Sequence, residues 1–425
     1  MDVFRIEGPV RLSGRVNVNG SKNAALPIMA AAILAEGRSS LAGVPRLSDV
    51  RVFGDLLQTL GCRVQRDADG RMEIDATVID NPVGDYEIVR KMRASVCILG
   101  PLLARYGRAE VSMPGGCAIG DRPINLHVRG LQELGARIHL KNGYVIAEAP
   151  DGLKGASIFL GGSFGSTVLG TANVMMAATL ARGRTVIESA ACEPEISDLA
   201  NCLNAMGARI GGIGSPRLTI EGVSHLHPVQ YRVIPDRIEA GTFMVAAAIT
   251  RGELKLANCR LDDMMAVVDK LRSVGVTVEP DEDGCTVAGT DHIRPTDVTT
   301  QPYPGFPTDL QAQLMALLAL AEGNSVVIEK IFPDRFMHVA ELNRMAADLR
   351  KEGPAVIVAG VRNLVAAPVM ASDLRASAAL VLAGLAAEGT TVINRVYHID
   401  RGYERIEERL NPLGAQIYRE DAPAP

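Results

Sequence analysis

The sequence contains no tryptophan, and phenylalanine and tyrosine contribute only eight residues each. Aromatics amount to 4% while hydrophobic residues reach 47%, so whatever cores the chain builds are aliphatic. Its seven cysteines, at 62, 97, 117, 192, 202, 259 and 285, are odd in number and include no C-x-x-C pair, which leaves no disulfide framework and no zinc-ligand spacing. That usage suits a reducing compartment. No block of lysine and arginine is present and the formal net charge is −5, which speaks against binding nucleic acid by charge alone. No apolar run is long enough to span a bilayer. The opening residues MDVFRIEGPV lack the basic and apolar regions of a signal peptide. The expectation is a cytoplasmic protein with no nucleic-acid or membrane partner. At 425 residues, two or more domains are expected.

What the chain has in quantity is repetition. A helix-like apolar run, a turn with glycine, a β-branched strand, a second helix, a second glycine and a further strand recur six times. The first-turn glycines are Gly37, Gly107, Gly183, Gly252, Gly323 and Gly389, at spacings of roughly 70 residues. The second are Gly61, Gly135, Gly207, Gly275 and Gly414, while the fifth unit has Ala346 instead. Glycine accepts the left-handed conformation just past a helix end, which accounts for both series. Ala346 is expected to matter for packing only. Units of this size predict compact α/β subdomains sharing cores, in two sets of three, with the crossing near His225–Val233. The strand pattern before the first helix is expected to pair with the C-terminal half.

Repeats share what a fold needs, so polar residues that differ between them are candidates for chemistry. The stretch 114–127, PGGCAIGDRPINLH, combines glycines with Cys117, Asp121, Arg122 and His127. A thiol near positive charge becomes reactive, although a surface turn with a half-buried cysteine is an equal alternative. GSKNAALP places Lys22 at the start of an apolar helix, where backbone N–H groups attract anions; the plain alternative is Ser21 as an N-cap with Lys22 in solvent. Arg93, in KMRAS, and Arg375, in SDLRAS, also precede apolar segments. Asp309, in FPTDLQAQ, suits either an N-cap or a general base. HIDRGYER adds Arg401. Lys22, Arg93, Arg122, Arg375 and Arg401 occupy similar loop or helix-start places, a pattern that would focus positive potential on a polyanion. Neither a Walker loop nor a Rossmann fingerprint occurs, and GGSFGSTVLG at 161–170 matches neither spacing.

Taken in order, GSKNAALP, MRAS, PGGCAIGxRPxxLH, EPEIxDL, PDRIExGTF, FPTDxQAQ, RFMHVxEL, DLRASAxLVLAG and HIDRGYERIE resemble the UDP-N-acetylglucosamine enolpyruvyl transferase family over essentially the whole chain. The resemblance implies a two-domain inside-out α/β barrel of six βαβαββ repeats. One domain would span 22–233 and carry the cysteine loop; the other would combine 1–21 with 234–425. It implies transfer of the enolpyruvyl group of phosphoenolpyruvate to the 3′-hydroxyl of UDP-N-acetylglucosamine, with release of phosphate through a tetrahedral ketal, as the first committed step of peptidoglycan synthesis. No metal or organic cofactor is implied.

By the same resemblance Cys117 acts at phosphoenolpyruvate and is open to alkylation by fosfomycin. Its role is that of acid or of aid to product release. Asp309 takes the proton of the sugar hydroxyl. Lys22, Arg122 and Arg401 hold the phosphate or carboxylate of phosphoenolpyruvate, with Arg93 and Arg375 lining the same cleft and Asp373 positioning Arg375. Asn23, Arg93, Arg122, Pro123, Asn125, Leu126, Asp309 and Ile331 contact the sugar nucleotide. Two departures stand out. Asn125 replaces a frequent aspartate. In the run 167–171 a customary lysine is missing, with Ser163, Ser166 and Thr167 as substitutes for its diphosphate contact. The shikimate-type enolpyruvyl transferases share the implied fold and donor, but the Cys117 loop and HIDRGYER speak against them. A non-catalytic sugar-nucleotide sensor is a further alternative, opposed by the presence of Cys117, Asp309 and the five cations.

Overall fold

The computed structural model describes residues 2–113, 124–163 and 165–421. Cys117, Arg122 and Pro123 lie outside the described residues. Two compact units divide the chain: one is drawn from 20–234, the other from 2–19 and 235–421.

Each unit has its own aliphatic core. The core of the first runs from Ala24 to Val233, with Phe53 a lone buried phenylalanine among its described residues. The core of the second runs from Phe4 to Ile417 and gathers Phe243, Phe306, Phe336 and Tyr403. Each fully buried leucine, isoleucine or methionine in them contributes about 1.5–3 kcal/mol relative to exposure.

Among the described residues there are six four-stranded sheets, and all share one pattern, a parallel pair followed by two antiparallel pairings. In the second sheet Val83–Gly84 runs parallel to Arg108–Ser112, which pairs antiparallel with Tyr144–Glu148, which pairs antiparallel with Arg137–Lys141. The parallel pair is joined through the helix Leu99–Tyr106 and the antiparallel pair by a tight turn. This is the βαβαββ repeat of an inside-out α/β barrel.

Three sheets borrow strands from distant sequence. Gln230–Arg232 returns to run parallel to Arg38–Ala42. Ser13–Asn17 runs parallel to Glu253–Ala257. Asp2–Gly8 inserts between Gly389–Asn394 and Ile417–Asp421. The expected pairing of the first strands with the C-terminal half is therefore observed, and Gln230–Arg232 falls in the expected crossing.

Inside each unit three helices pack in the core, all almost wholly buried except Leu99–Tyr106, which buries its first five residues. They are Lys22–Ala31, Leu99–Tyr106 and Val168–Ala178 in the first, and Arg237–Ile249, Gln311–Leu318 and Leu374–Ala386 in the second. Five of these helices carry two or more alanines, and Lys22, Arg237, Gln311 and Arg375 stand in the first turns of theirs. Ser21, Thr167, Asp236 and Asp373 each cap a helix through the side chain.

Two backbone positions depart from the glycine pattern. The second-turn glycines take φ between 94° and 109°, and Ala346 takes the same role at φ 65°. Ala346 is thus a left-handed backbone position that costs a residue with a Cβ about 1–2 kcal/mol, not a packing substitution. At the fourth first-turn position the left-handed residue is Arg251, at φ 53°. Gly252 serves closeness instead: a Cβ there would lie 2.1 Å from the carbonyl oxygen of Leu12.

Candidate functional site

Lys22 is the first residue of its helix, just after Ser21, whose hydroxyl accepts from the Ala24 N–H at 3.3 Å. The capping half of the plain alternative holds, but Lys22 is not in solvent. Its side chain is 9% exposed and Nζ lies 3.1 Å from Asp49 Oδ2. Burying an ammonium this deeply requires such a partner. Asn23 follows it, half-buried.

Arg93 opens the 3-10 turn Arg93–Ile98 and is half-buried. Its charge, together with burial as the larger cause, holds the His127 imidazole far below its usual range, at about 3. His127 is consequently neutral. Its Nδ1 meets Asn173 Nδ2 at 2.9 Å, and Asn173 also donates to the Val96 carbonyl and accepts from the Gly100 N–H. This buried amide ties the Arg93 turn to the helix Asn125–Glu133. Asn125 begins that helix and is exposed, and Leu126 beside it is half-buried. Thr167 Oγ1 accepts from Gly170 N at 3.2 Å, so its hydroxyl oxygen serves as a helix cap.

In the other unit Asp309 sits in a 3-10 turn, Thr308–Leu310, that leads into Gln311–Leu318. It caps neither element: the N-cap positions are Pro307 and Leu310. Its carboxylate faces two guanidinium groups. Oδ1 accepts from Arg335 Nη1 at 2.8 Å, and Oδ2 accepts from Arg375 Nη2 at 3.1 Å. Asp309 is 26% exposed, while Arg335 and Arg375 are 8% and 3% exposed. The carboxylate therefore reaches solvent from a buried cationic bed.

That bed is itself fastened. Arg335 Nη1 donates to Thr308 Oγ1 at 3.0 Å, and Thr308 donates to Glu329 at 2.9 Å. Glu329, fully buried, also accepts from Thr300 Oγ1 and from the N–H groups of Ile331 and Phe332. Arg375 Nη1 donates to the Tyr403 hydroxyl at 3.0 Å. Burial opposes the charge of Arg375, but Asp309 and Tyr403 outweigh it and raise its pKa.

Asp373 lies beside Arg375 at the start of its helix: its carboxylate accepts from the backbone N–H of Arg375 and Ala376, at 2.8 and 3.2 Å, as a helix cap. Asp373 acts on Arg375 by fixing the helix start. Arg401, expected at a loop or helix start, ends the 3-10 turn Val396–Arg401. The neighbouring Asp400 binds Arg419, at 2.6 and 3.0 Å.

The residues that sequence reading passed over are Asp49, Thr242, Gln313, Glu329, Arg335 and Tyr403. Thr242, Gln313, Arg335 and Tyr403 lie inside the motifs GTF, QAQ, RFMHV and GYER, but nothing local marks them, because each works through a partner far away in sequence.

A carboxylate between two buried arginines, with an edge open to solvent, can accept a proton from a hydroxyl. Known proteins narrow this. A family model for EPSP synthase (3-phosphoshikimate 1-carboxyvinyltransferase) matches residues 6–410. A protein of Anaeromyxobacter sp. (strain Fw109-5) is 54% identical over 99% of this chain and 100% of its own length, and one of Trichlorobacter lovleyi is 53% identical over 100% of both. Both are named UDP-N-acetylglucosamine 1-carboxyvinyltransferase. Among solved structures, the enolpyruvyl transferase NikO from Streptomyces tendae superposes with a TM-score of 0.90 at 25% identity, covering 99% of both chains. An EPSP synthase from Acinetobacter baumannii has a TM-score of 0.75 at 18% identity over 99% of this chain and 100% of its own, a likeness of fold alone. The chain belongs to the EPSP synthase family of enolpyruvyl transferases.

Proposed function

We propose that this protein is a UDP-N-acetylglucosamine 1-carboxyvinyltransferase, moving the enolpyruvyl group of phosphoenolpyruvate to the 3′-hydroxyl of UDP-N-acetylglucosamine and releasing phosphate, at the entrance to peptidoglycan synthesis. The observation that carries the reading is Asp309 on its bed of Arg335 and Arg375, within a chain 54% identical end to end to a relative of that name.

In the addition step the sugar O–H breaks and its oxygen bonds to C2 of phosphoenolpyruvate, while C3 gains a proton. In the elimination step the C2–O bond to phosphate breaks and C3 loses a proton, restoring the alkene. No net oxidation occurs. Asp309, exposed at one edge, takes the hydroxyl proton. General base catalysis of this kind contributes about 10²–10⁴-fold. Arg375 and Lys22 supply buried positive charge to the phosphate and carboxylate, with Arg93, Arg122 and Arg401 completing the set. Cys117 acts at phosphoenolpyruvate. Asn23, Pro123, Asn125, Leu126 and Ile331 meet the sugar nucleotide.

The test is phosphate release from phosphoenolpyruvate in the presence of UDP-N-acetylglucosamine or of shikimate 3-phosphate. Release with the sugar nucleotide alone is expected. Release with the shikimate acceptor alone, or with neither, defeats the assignment.

A further inference from the structure

Tyr403 is 2% exposed and is among the largest fully buried side chains, yet its hydroxyl is a junction of three polar contacts. Arg375 Nη1 lies at 3.0 Å, Thr242 Oγ1 at 2.8 Å and Gln313 Nε2 at 3.2 Å. The three helices that bring these groups together, Arg237–Ile249, Gln311–Leu318 and Leu374–Ala386, come from three different repeats.

The proton of each group can be assigned. Thr242 donates its single hydroxyl proton to the Ile238 carbonyl, at 2.8 Å. It therefore accepts from Tyr403. Gln313 Nε2 donates to the backbone carbonyl of Asp309 at 3.0 Å, and a carbonyl can only accept, so the amide N–H₂ faces Tyr403. The tyrosine oxygen is left accepting from Arg375, and the second Gln313 N–H is shared between it and Thr242 Oγ1, each 3.2 Å from Nε2. A single polarity runs from the guanidinium through Tyr403 and Thr242 to the main chain. Meanwhile Arg375 Nη2 is taken by Asp309, and Nε, buried, has no acceptor among the described residues.

A neutral phenol at this place differs from a carboxylate in one respect. It fixes the rotation of the guanidinium without neutralising its charge, which leaves that charge to Asp309 and to a substrate anion. We infer that the Tyr403 hydroxyl, backed by Thr242 and Gln313, is a positioning group for the reaction, holding the Arg375 guanidinium in plane against Asp309. This rests on the reading that Arg375 serves phosphoenolpyruvate.

Tyr403→Phe removes one oxygen and keeps the buried ring. The variant is expected to fold and to lose about tenfold in kcat/KM for phosphoenolpyruvate, as a buried donor left without its acceptor implies. Its Kd for UDP-N-acetylglucosamine should stay at the wild-type value. In an Arg375→Lys background the same substitution should cost nothing further, since the group it serves is gone. Thr242→Val should act in the same direction, and the double variant Y403F/T242V should be no worse than Y403F. Wild-type kinetics for Y403F, or an equal loss in the lysine background, overturns the inference while leaving the proposed function standing. If the wild-type protein makes no product from these substrates, the proposed function fails instead. The crystal structure of Y403F then decides the positioning role: a rotated Arg375 guanidinium supports it, and an unmoved one overturns it.

Discussion

Asp309 and Arg375 are 66 residues apart in sequence and meet at 3.1 Å, with Oδ2 of the carboxylate accepting from Nη2 of the guanidinium. The second carboxylate oxygen is committed to Arg335 at 2.8 Å. A base held by both oxygens has one orientation, and a 26% exposed edge gives it access to a hydroxyl.

Asp309→Asn keeps the shape and removes the base. It also turns one amide N–H₂ toward a guanidinium, where no acceptor remains. Turnover should fall by about 10²–10⁴-fold, while binding of UDP-N-acetylglucosamine, measured by calorimetry, should persist. Turnover near that of the wild type would remove Asp309 from the role of base.

Ala346→Gly should stabilise the protein. The Cβ penalty at φ 65° disappears, and the added freedom of glycine in the unfolded chain offsets part of it, leaving a gain of about 0.5–1 kcal/mol. Thermal denaturation reads this directly. A lower melting temperature would mean that the Ala346 methyl packs more usefully than its backbone suggests.

These two predictions show where the sequence speaks and where it is silent. The glycine turns, the six repeats and the helix starts at Lys22, Arg93 and Arg375 are local features, each written in a few adjacent residues, and the structure bears out those placements. The strain at Ala346 is different: the missing glycine is visible in the sequence, but only the backbone angle, φ 65°, shows that the alanine keeps the left-handed turn. The bed beneath Asp309 is invisible for another reason. Arg335 is 26 residues from Asp309, Tyr403 is 28 from Arg375, and Gln313 is 90 from Tyr403. No spacing rule links such pairs, whereas Asp373, two residues before Arg375, acts locally on the start of its helix and is legible in the sequence.

Acid should act through two histidines. Burial, then Arg93, lowers His127 to about 3, and burial lowers His338 to about 4 against the opposing pull of Asp373. Both folded values lie below the usual value near 6.5. Their contribution to stability is therefore full above about pH 6.5 and is lost as pH falls toward about 4 and then about 3, with a slope of about 1.4 kcal/mol per pH unit for each histidine. The ring resonances of His127 and His338 should not titrate between about pH 8 and pH 5 in the folded protein. A midpoint near 6 for either ring would contradict its burial.

Fosfomycin should add its mass to the peptide carrying Cys117 and to no other cysteine. Burial raises Cys62 to about 11 and Cys97 to about 12, and it raises Cys202 and Cys192 as well, which leaves little thiolate at any of them, while Cys285, which its contact with Cys259 shifts down, is fully buried beside it and out of reach of the reagent. Peptide mapping after exposure distinguishes the sites. An adduct elsewhere, or none, would contradict the role given to Cys117.

The central claim is the identity of the acceptor, and the product itself tests it most directly. Purified protein incubated with phosphoenolpyruvate, UDP-N-acetylglucosamine and shikimate 3-phosphate together should yield, by mass spectrometry, the sugar nucleotide carrying one enolpyruvyl group on its 3′-oxygen, with one phosphate released per product formed. Enolpyruvyl shikimate phosphate as the product, or neither, would contradict the account.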